Sequence, residues 1–371
     1  MSETYSPGLE GVVAGETAVS TVETGLTYRG YTIEDLAANS NYEEVAYLVL
    51  HGELPTAAEA KAFRERLGAA ATVPAEIIAT LRSIPHSAST MDVLRSAASL
   101  LAHWEPEVND NSHAANVRKT ERLIAKMPII VAARQRLKDG KEPVAADPQL
   151  PLPANFLWML RGEKPSARQV KALDVSLILY AEHEFNASAF AARCVVSTLS
   201  DLHSAITAGI GALKGPLHGG ANERAMEVLQ EVSSPAEAEG WIRNALANKR
   251  RIMGFGHRVY KDGDPRAVFL KTLTQEVAKE TGHDDMEQTA EIIETIVRNE
   301  KKLPPNVDWP CARLYHYLGL PIDLYTPLFV VARVVGWSAH AIEQLDNNRL
   351  IRPRAIYNGV AERKWKPVGE R

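Results

Sequence analysis

Three histidines and one aspartate are candidates for acid–base chemistry, and two of the histidines stand in glycine-rich turns. His218 lies between glycines in GPLHGGAN, and His257 lies in the glycine-rich start of GFGHRVYKDGDPR. His183 lies in YAEHEFNAS, and Asp308 stands in a proline-flanked segment before a tryptophan. Glycine and proline favour a non-helical backbone, which lets an imidazole face a ligand. A carboxylate held rigidly beside an aromatic ring suits a general base.

Two arginines have sequence surroundings that favour binding of a carboxylate. Arg266 follows His257 closely, directly behind an Asp-Pro pair, and a guanidinium binds a carboxylate through two parallel hydrogen bonds. Arg333 stands in a strongly apolar helical run, so it needs an anionic partner, either an internal acid or a substrate. Arg352, before Pro353, has weaker support and is also compatible with an ordinary surface arginine.

Each of these features also has a purely structural interpretation. The two glycine-flanked histidines are compatible with helix corners at which the ring bonds to backbone, and Asp308 with a helix cap. The sequence has no HExxH, no paired CxxC, no Walker loop and no GxSxG elbow. Its eleven histidines do not cluster at ligand spacing, so we expect no metal site.

Composition places the chain among ordinary globular proteins. It has 371 residues, 45% of them hydrophobic, and a net charge of -4, which is enough for one large core or two domains. The charge balance argues against a nucleic-acid binder. Two cysteines and an N-terminus without a signal pattern predict a cytoplasmic protein. The apolar stretch 327–342 is interrupted by Arg333 and His340, which predicts a buried helix rather than a membrane span.

Helical signals dominate the chain. A capping pair at Asn41 predicts a helix over Tyr42–His51, and a similar pair at Ser166 predicts another helix just after it. Thr326 before a proline predicts the N-cap of a helix that runs to about residue 345. Alternating β patterns are confined to residues 12–29, where a small hairpin is expected. The predicted fold is therefore all-α with a minor N-terminal β-hairpin.

The motifs above resemble the citrate synthase family in their order and over nearly the whole chain. YAEHEFNAS, LTYRGYTIEDLA and YLVLHGELP add to the resemblance. The resemblance implies a two-domain helical fold in which a smaller domain closes over the site. Residues 1–218 and 320–371 then form the large domain, and residues 219–319 the small one. It also implies a homodimer, in which the small-residue stretch 187–213 builds the interface as well as an internal helix pair.

The resemblance further implies that acetyl-CoA, oxaloacetate and water are converted to citrate and CoA. Asp308 resembles the base that removes a proton from the acetyl methyl group. His218 resembles the donor to the thioester oxygen, and His257 the group that polarises the ketone of oxaloacetate and protonates the new alkoxide. The residues that resemble oxaloacetate ligands are His183, Arg266, Arg333 and Arg352, the last of them reaching in from the partner subunit.

The resemblance also locates the CoA site. The loop that resembles the CoA-binding loop consists of Arg251, Ile252, Met253, Gly254 and Phe255. On charge alone, the candidates for contacts with CoA phosphates are Lys249, Arg250, Arg258 and Lys261. The expected ligands are oxaloacetate and an acyl-CoA co-substrate, with no permanently bound cofactor, no metal, no nucleic acid and no membrane.

Two alternatives stay open from the sequence. A 2-methylcitrate synthase, which uses propionyl-CoA, shares all of these residues and differs by one methylene, a difference that a pocket discriminates by about 1–3 kcal/mol. The other is a non-catalytic helical dimer that binds CoA. Loss of Asp308 or of one of the histidines would mark that protein, and none is lost.

Overall fold

The computed structural model describes residues 5–23, 25–257 and 259–371. Sixteen α-helices account for most of these residues, which confirms the predicted all-α class. In chain order, α1 to α8 are Ile33–Asn39, Tyr42–His51, Ala57–Ala70, Ala75–Ser83, Thr90–Leu101, His113–Lys138, Leu152–Arg161 and Ala167–Tyr180. Helices α9 to α16 are Ala187–Val196, Leu202–Leu213, Ala221–Gln230, Pro235–Ala247, Pro265–Thr281, Asp284–Lys301, Asp308–Tyr317 and Tyr325–Asp346.

The N-terminal β structure has one more strand than the predicted hairpin. Strands β1 (Ser20–Thr21), β2 (Thr27–Tyr28) and β3 (Tyr31–Thr32) form an antiparallel sheet in that order. The β2–β3 turn is Arg29–Gly30, and both residues have positive φ, 49° and 89°. Turns with two positive φ angles match the twist of a hairpin. Because arginine seldom adopts positive φ, the pair Arg29–Gly30 gives little sign of this turn in the sequence.

Local capping explains where two of the predicted helices begin. The Asn41 side chain accepts the Glu44 N–H, and α2 spans the predicted residues. At α8 the capping pair of Ser166 and Gln169 is formed in both directions. Both helices are therefore fixed by contacts within one turn of chain.

The predicted N-cap of α16 is wrong by two residues. A 3₁₀ helix, Ile322–Leu324, leads directly into α16, which begins at Tyr325 with Leu324 as its N-cap. Thr326 already lies inside the helix, and its hydroxyl donates to the Glu223 carboxylate instead of capping. The hydroxyl thus ties α16 to the start of α11.

Helix α16 runs through the centre of the molecule. Within the described chain, the segment Ile322–Asp346 is long and apolar enough to cross a membrane, but 89% of its most apolar window is buried inside the protein. The prediction of a buried core helix is therefore confirmed. Helices α9 and α10 pack on each other and on α16, where Gly209 of α10 lies against the Trp337 ring.

Helices α11 to α15 form a second group. Their main contacts are with one another, chiefly α13 with α15, α12 with α14 and α11 with α15. Contacts with the rest of the molecule come mainly through α13, which packs on α1 and α8. A large cavity lies where these two groups of helices meet.

Candidate active site

A cavity of about 1580 Å³ collects most of the residues singled out from the sequence. Its walls include the predicted catalytic and substrate-binding residues His183, His218, His257, Arg266, Asp308 and Arg333. These six residues come from α13, α15, α16 and three connecting segments, so the fold joins parts of the chain that are far apart in sequence.

The loops that carry His257 and Asp308 are joined by backbone hydrogen bonds. The Gly256 N–H donates to the Pro304 carbonyl at 2.8 Å, and the Asn306 N–H donates to the Gly254 carbonyl at 2.9 Å. Gly254 has φ of +89°, and a Cβ there would lie 2.9 Å from the Trp309 ring. Glycine is therefore required at this position by both backbone conformation and packing.

Asp264 holds Arg266 and also fixes the turn before Asp308. Its carboxylate accepts from Arg266 Nε at 2.9 Å and Nη2 at 2.8 Å, and its Oδ2 accepts the Val307 N–H at 3.0 Å. Burial alone lowers the pKa of an arginine, but the Asp264 charge outweighs it and holds the pKa of Arg266 above its usual range. Two donors of the guanidinium are thus committed to Asp264, and the Nη1 side remains for a ligand.

His257 is fixed as a neutral hydrogen-bond donor. Its Nδ1 accepts the backbone N–H groups of Val259 at 3.1 Å and Tyr260 at 3.2 Å. Burial and the nearby charge of Arg266 lower its pKa to about 4. The ring is therefore neutral at pH 7, with its hydrogen on Nε2.

His218 contacts a side chain, which rules out the helix-corner interpretation in which its ring bonds to backbone. Its Nε2 lies 2.8 Å from the Ser188 hydroxyl, and that hydroxyl oxygen accepts from Trp337 Nε1 at 2.9 Å. Burial, followed by the charge of Arg333, lowers the pKa of His218 to about 4. A second neutral imidazole therefore lines the cavity.

Asp308 is the first residue of α15, but its side chain does not cap the helix. Its Oδ1 accepts from the Tyr180 hydroxyl at 2.8 Å. Burial is the main cause that raises the pKa of Asp308 to about 6. This carboxylate is ionised at neutral pH and is a stronger base than an exposed aspartate.

His183 and Arg333 present unpartnered polar atoms to the cavity. Arg333 Nε donates to the Tyr180 carbonyl at 2.6 Å, whereas Arg333 Nη1 and His183 Nε2 are buried and have no partner among the described residues. Burial lowers the pKa of Arg333 to about 10, so it stays charged at pH 7. Buried donors without partners are costly, and an anionic ligand would satisfy them.

The predicted CoA loop lies on the same cavity. All residues from Lys249 to Phe255 contribute to its walls. Arg250, however, is held by two hydrogen bonds to Glu231 and lies over the Trp241 ring at 5.2 Å. Lys249 and Arg251 are exposed, and Lys261 is exposed outside the cavity lining. Arg258 lies outside the described residues.

Arg352 lies outside this cavity in its own subunit. It is exposed in the extended segment that follows α16, and it does not contribute to the lining. The structure thus brings together six of the seven predicted catalytic and oxaloacetate-binding residues and leaves Arg352 apart.

Sequence reasoning missed several residues that build the site. Tyr180, Ser188 and Asn222 contact catalytic candidates or support them, and the exposed Lys301 lines the cavity. The N-terminal residues 8–15 also form part of one wall. Tyr180, Ser188 and Asn222 lie inside the quoted histidine motifs, but no local pattern distinguishes Lys301 or residues 8–15.

The arrangement combines groups that carbon–carbon bond formation at a thioester needs. It offers a buried carboxylate base, two neutral imidazole donors and two guanidinium groups around one cavity. Donors placed where negative charge develops stabilise an enolate or alkoxide, and guanidinium groups bind carboxylates.

Comparisons with known proteins agree with this chemistry. The family model described as "Citrate synthase, C-terminal domain" matches residues 8–354. The chain is 49% identical over 370 residues to citrate synthase 2 of Bacillus subtilis, with 99% of this chain and 100% of that protein covered. It is 45% identical over 368 residues to the 2-methylcitrate synthase of Shewanella oneidensis, with 98% and 97% covered.

A solved structure has the same fold. The citrate synthase of Thermoplasma acidophilum, in a ternary complex with carboxymethyl coenzyme A and oxaloacetate, superimposes with a TM-score of 0.94 at 35% identity, and each chain is covered completely, at 100%. Family model, sequence relatives and fold agree over nearly the whole chain, and the chain therefore belongs to the citrate synthase family.

Proposed function

We propose that this chain condenses acetyl-CoA with oxaloacetate and water to give citrate and CoA. The observation that carries the proposal is the ionised, buried carboxylate of Asp308, which shares one cavity with two neutral histidines and two arginines. The proposal is supported by the relatives named citrate synthase and 2-methylcitrate synthase, and by a citrate synthase of the same fold that holds carboxymethyl coenzyme A and oxaloacetate.

The proposed reaction has three steps. Asp308 removes a proton from the acetyl methyl group, and His218 donates a hydrogen bond to the thioester oxygen, where the enolate charge develops. The enolate carbon attacks the ketone carbon of oxaloacetate, and His257 supplies the proton to the new alkoxide. Water then cleaves the thioester of citryl-CoA, which releases citrate and the CoA thiol.

The unpartnered atoms of the cavity support the assignment of the oxaloacetate site. Nη1 of Arg333 is a buried donor that needs an acceptor, and Arg266 is rigidly held by Asp264. Nε2 of His183 is a buried ring nitrogen without a partner among the described residues, which donates when it carries the ring hydrogen. A dicarboxylate with a central ketone provides acceptors for all three. We assign its binding to these residues together with Arg352 from the partner subunit.

The CoA moiety is proposed to bind along the loop from Arg251 to Phe255. Lys249 and Arg251 are the better candidates for its phosphates, because Arg250 is already paired with Glu231. Lys301 lines the same cavity and is added to these candidates. Arg258 and Lys261 remain candidates on charge alone.

We propose that residues 219–319 form a small domain that closes over the site, with residues 1–218 and 320–371 as the large domain. The packing of α11 to α15 mainly on one another supports this division. Closure would exclude water from the site, and a thioester condensation requires this protection of the enolate.

A homodimer is supported by apolar side chains that this subunit leaves uncovered. The extended C-terminal segment after α16 exposes Tyr357 and Trp365 by 77% and 78%. Leu199, after α9, is 65% exposed. A second copy of the chain would cover these side chains, and it would also explain why Arg352 lies outside the cavity of the subunit that carries it.

We also place the protein in the cytoplasm, since relatives and composition agree with a soluble enzyme.

The second candidate function is 2-methylcitrate synthesis from propionyl-CoA. It is favoured by the 45% identity to the Shewanella oneidensis enzyme of that name.

The experiment that decides between the two functions measures free-thiol release from acetyl-CoA and from propionyl-CoA, each with and without oxaloacetate. We expect oxaloacetate-dependent release with kcat/KM at least about tenfold higher for acetyl-CoA, the size of effect that one methylene gives. Comparable use of propionyl-CoA assigns the second function, and no release from either identifies a non-catalytic CoA-binding protein.

The role of Asp308 is tested with an Asp308→Ala variant. The matched control is Asp262→Ala, which removes an exposed carboxylate from a neighbouring turn outside the cavity lining. We expect Asp308→Ala to abolish thiol release but to bind oxaloacetate normally in a calorimetric titration, while the control retains activity. An Asp308→Ala enzyme with most of its activity would refute the assignment of the base.

A further inference from the structure

Tyr180, the last residue of α8, contacts both the proposed base and a proposed substrate arginine. Its hydroxyl donates to Asp308 Oδ1 at 2.8 Å, and its carbonyl accepts from Arg333 Nε at 2.6 Å. The side chain is completely buried, with 0% exposure. Neither contact is explained by packing alone, because each involves a polar group directed toward the reaction site.

The hydroxyl of Tyr180 is itself oriented by a third side chain. Asn222 Nδ2 donates to the tyrosine oxygen at 2.8 Å. A phenolic hydroxyl has one hydrogen, and with its oxygen occupied as an acceptor by Asn222, that hydrogen is directed to Asp308 Oδ1. The second carboxylate oxygen, Oδ2, has no hydrogen-bond partner among the described residues and remains for the substrate.

We propose that Tyr180 is a positioning residue for the base: its hydroxyl, oriented by Asn222, holds Oδ1 of Asp308 so that Oδ2 faces the C–H bond of the acyl group. The proposal rests on the proposed condensation function. The hydroxyl also stabilises the ionised carboxylate, because a donor favours the charged form of its acceptor. Burial in an apolar site raises the basicity of Asp308, and the Tyr180 hydrogen bond limits that rise.

The ring of Tyr180 has a separate packing role. It lies 4.1 Å from the Phe329 ring, and Phe329 in turn lies 6.2 Å from the His218 ring. Tyr180→Phe therefore removes the hydroxyl and keeps the aromatic contacts. The matched control is Tyr315→Phe, which removes an equally buried hydroxyl. That hydroxyl contacts Ser176 at 3.1 Å and shares the Cys311 thiol with Tyr180, but it has no hydrogen bond to Asp308 among the described residues.

The experiment measures kcat, both KM values and the pH profile of thiol release for the two variants. For Tyr180→Phe we expect kcat to fall about 10- to 100-fold, the usual effect of losing a hydrogen bond to a charged group. The acid limb should move to higher pH by about one unit. The KM values for acyl-CoA and oxaloacetate should stay near those of the wild type, and Tyr315→Phe should leave kcat and the acid limb unchanged.

A second variant tests the orientation of the hydroxyl. Asn222→Ala removes the amide donor without enlarging a fully buried side chain, and it should move the acid limb in the same direction by a smaller amount. An unchanged kcat and acid limb in Tyr180→Phe would overturn the inference, as would equal changes in Tyr315→Phe. A wild-type enzyme without oxaloacetate-dependent thiol release would instead overturn the proposed function itself.

Discussion

Tyr260 fixes the orientation of His257 in two ways: its ring stacks on the imidazole at 4.7 Å, and its backbone N–H donates to Nδ1 at 3.2 Å. The N–H donation favours the neutral ring with hydrogen on Nε2, and the stacking fixes the plane of the ring. His257 thus begins the reaction as a donor and cannot act as a base through Nδ1. That assignment leaves Asp308 as the group whose protonation governs activity near neutral pH.

The first prediction concerns pH. Asp308 has a raised pKa of about 6 and works in its ionised form, so activity is present above this pH and is lost as pH falls through it. His218 and His257, with pKa values lowered to about 4, stay neutral over the same range. The profile of kcat/KM should therefore fall about tenfold per pH unit below 6. An acid limb centred near 4 would contradict the assignment of Asp308 as the titrating group.

The second prediction concerns the support of His218. Ser188→Ala removes the hydroxyl that contacts His218 and leaves the buried Trp337 N–H without its acceptor. We expect kcat to fall by at least about tenfold and the free energy of unfolding to fall by about 1–3 kcal/mol. The control is Ser338→Ala, whose buried hydroxyl bonds only within α16 at 2.7 Å. Thiol-release kinetics and chemical denaturation give kcat and the free energy of unfolding for both variants. Equal losses in the two variants would show that Ser188 has no specific role in supporting His218.

The third prediction concerns the shared arginine. Asp308→Ala and Arg352→Ala chains should each be inactive alone, but mixed dimers should recover activity, because one of their two sites combines an intact Asp308 with an intact Arg352. A purified mixed dimer has one intact site of two, so its activity per chain should be about half that of the wild type. Co-expression with two different tags, followed by thiol-release assays on purified mixed dimers, measures this recovery. Mixed dimers without activity would show that Arg352 serves its own subunit.

The fourth prediction concerns a close helix contact behind the site. A Cβ at Gly336 of α16 would lie 2.5 Å from the Ala181 carbonyl and 2.1 Å from Glu182 Oε2, directly before His183. Gly336→Ala should lower the free energy of unfolding by about 1–3 kcal/mol and raise KM for oxaloacetate.

Gly240 provides the control for this substitution. It lies inside α12 with open space where a Cβ would be. Gly240→Ala should raise the free energy of unfolding by about 0.5–1 kcal/mol, since alanine is the better helix former. Denaturant melts of both variants test the pair, and a neutral Gly336→Ala would mean that the backbone at Ala181 can move.

The features that sequence predicted well are those set by nearby residues or by a residue's own chemistry. The starts of α2 and α8 follow from caps three residues away. The buried arginine of α16 was predicted to need an anion, and in the structure it has an unpartnered nitrogen in a cavity. The family resemblance predicts that the histidines and Asp308 share one site, although no local sequence pattern indicates that they lie close to one another.

The support of the site could not be read from the sequence. Tyr180 is 128 residues from Asp308 and 42 from Asn222, and although it opens the motif YAEHEFNAS, nothing in that motif indicates either partner. The same holds for Thr326, which has the sequence of an N-cap but donates to Glu223, 103 residues away. In both cases a long-range contact decides the role of the side chain, and local propensity carries no information about it.

The hydrogen bond from Tyr180 to Asp308 joins residues that the proposed domain division assigns to different domains. A carboxylate that obtains its donor from the opposite domain is oriented for proton abstraction only while the two domains are together. In an open molecule, acyl-CoA would meet a base that is neither aligned nor stabilised as an anion. Under the proposed domain closure, the bond would act as an interlock that delays enolisation, and the futile loss of the thioester to water, until the two domains meet.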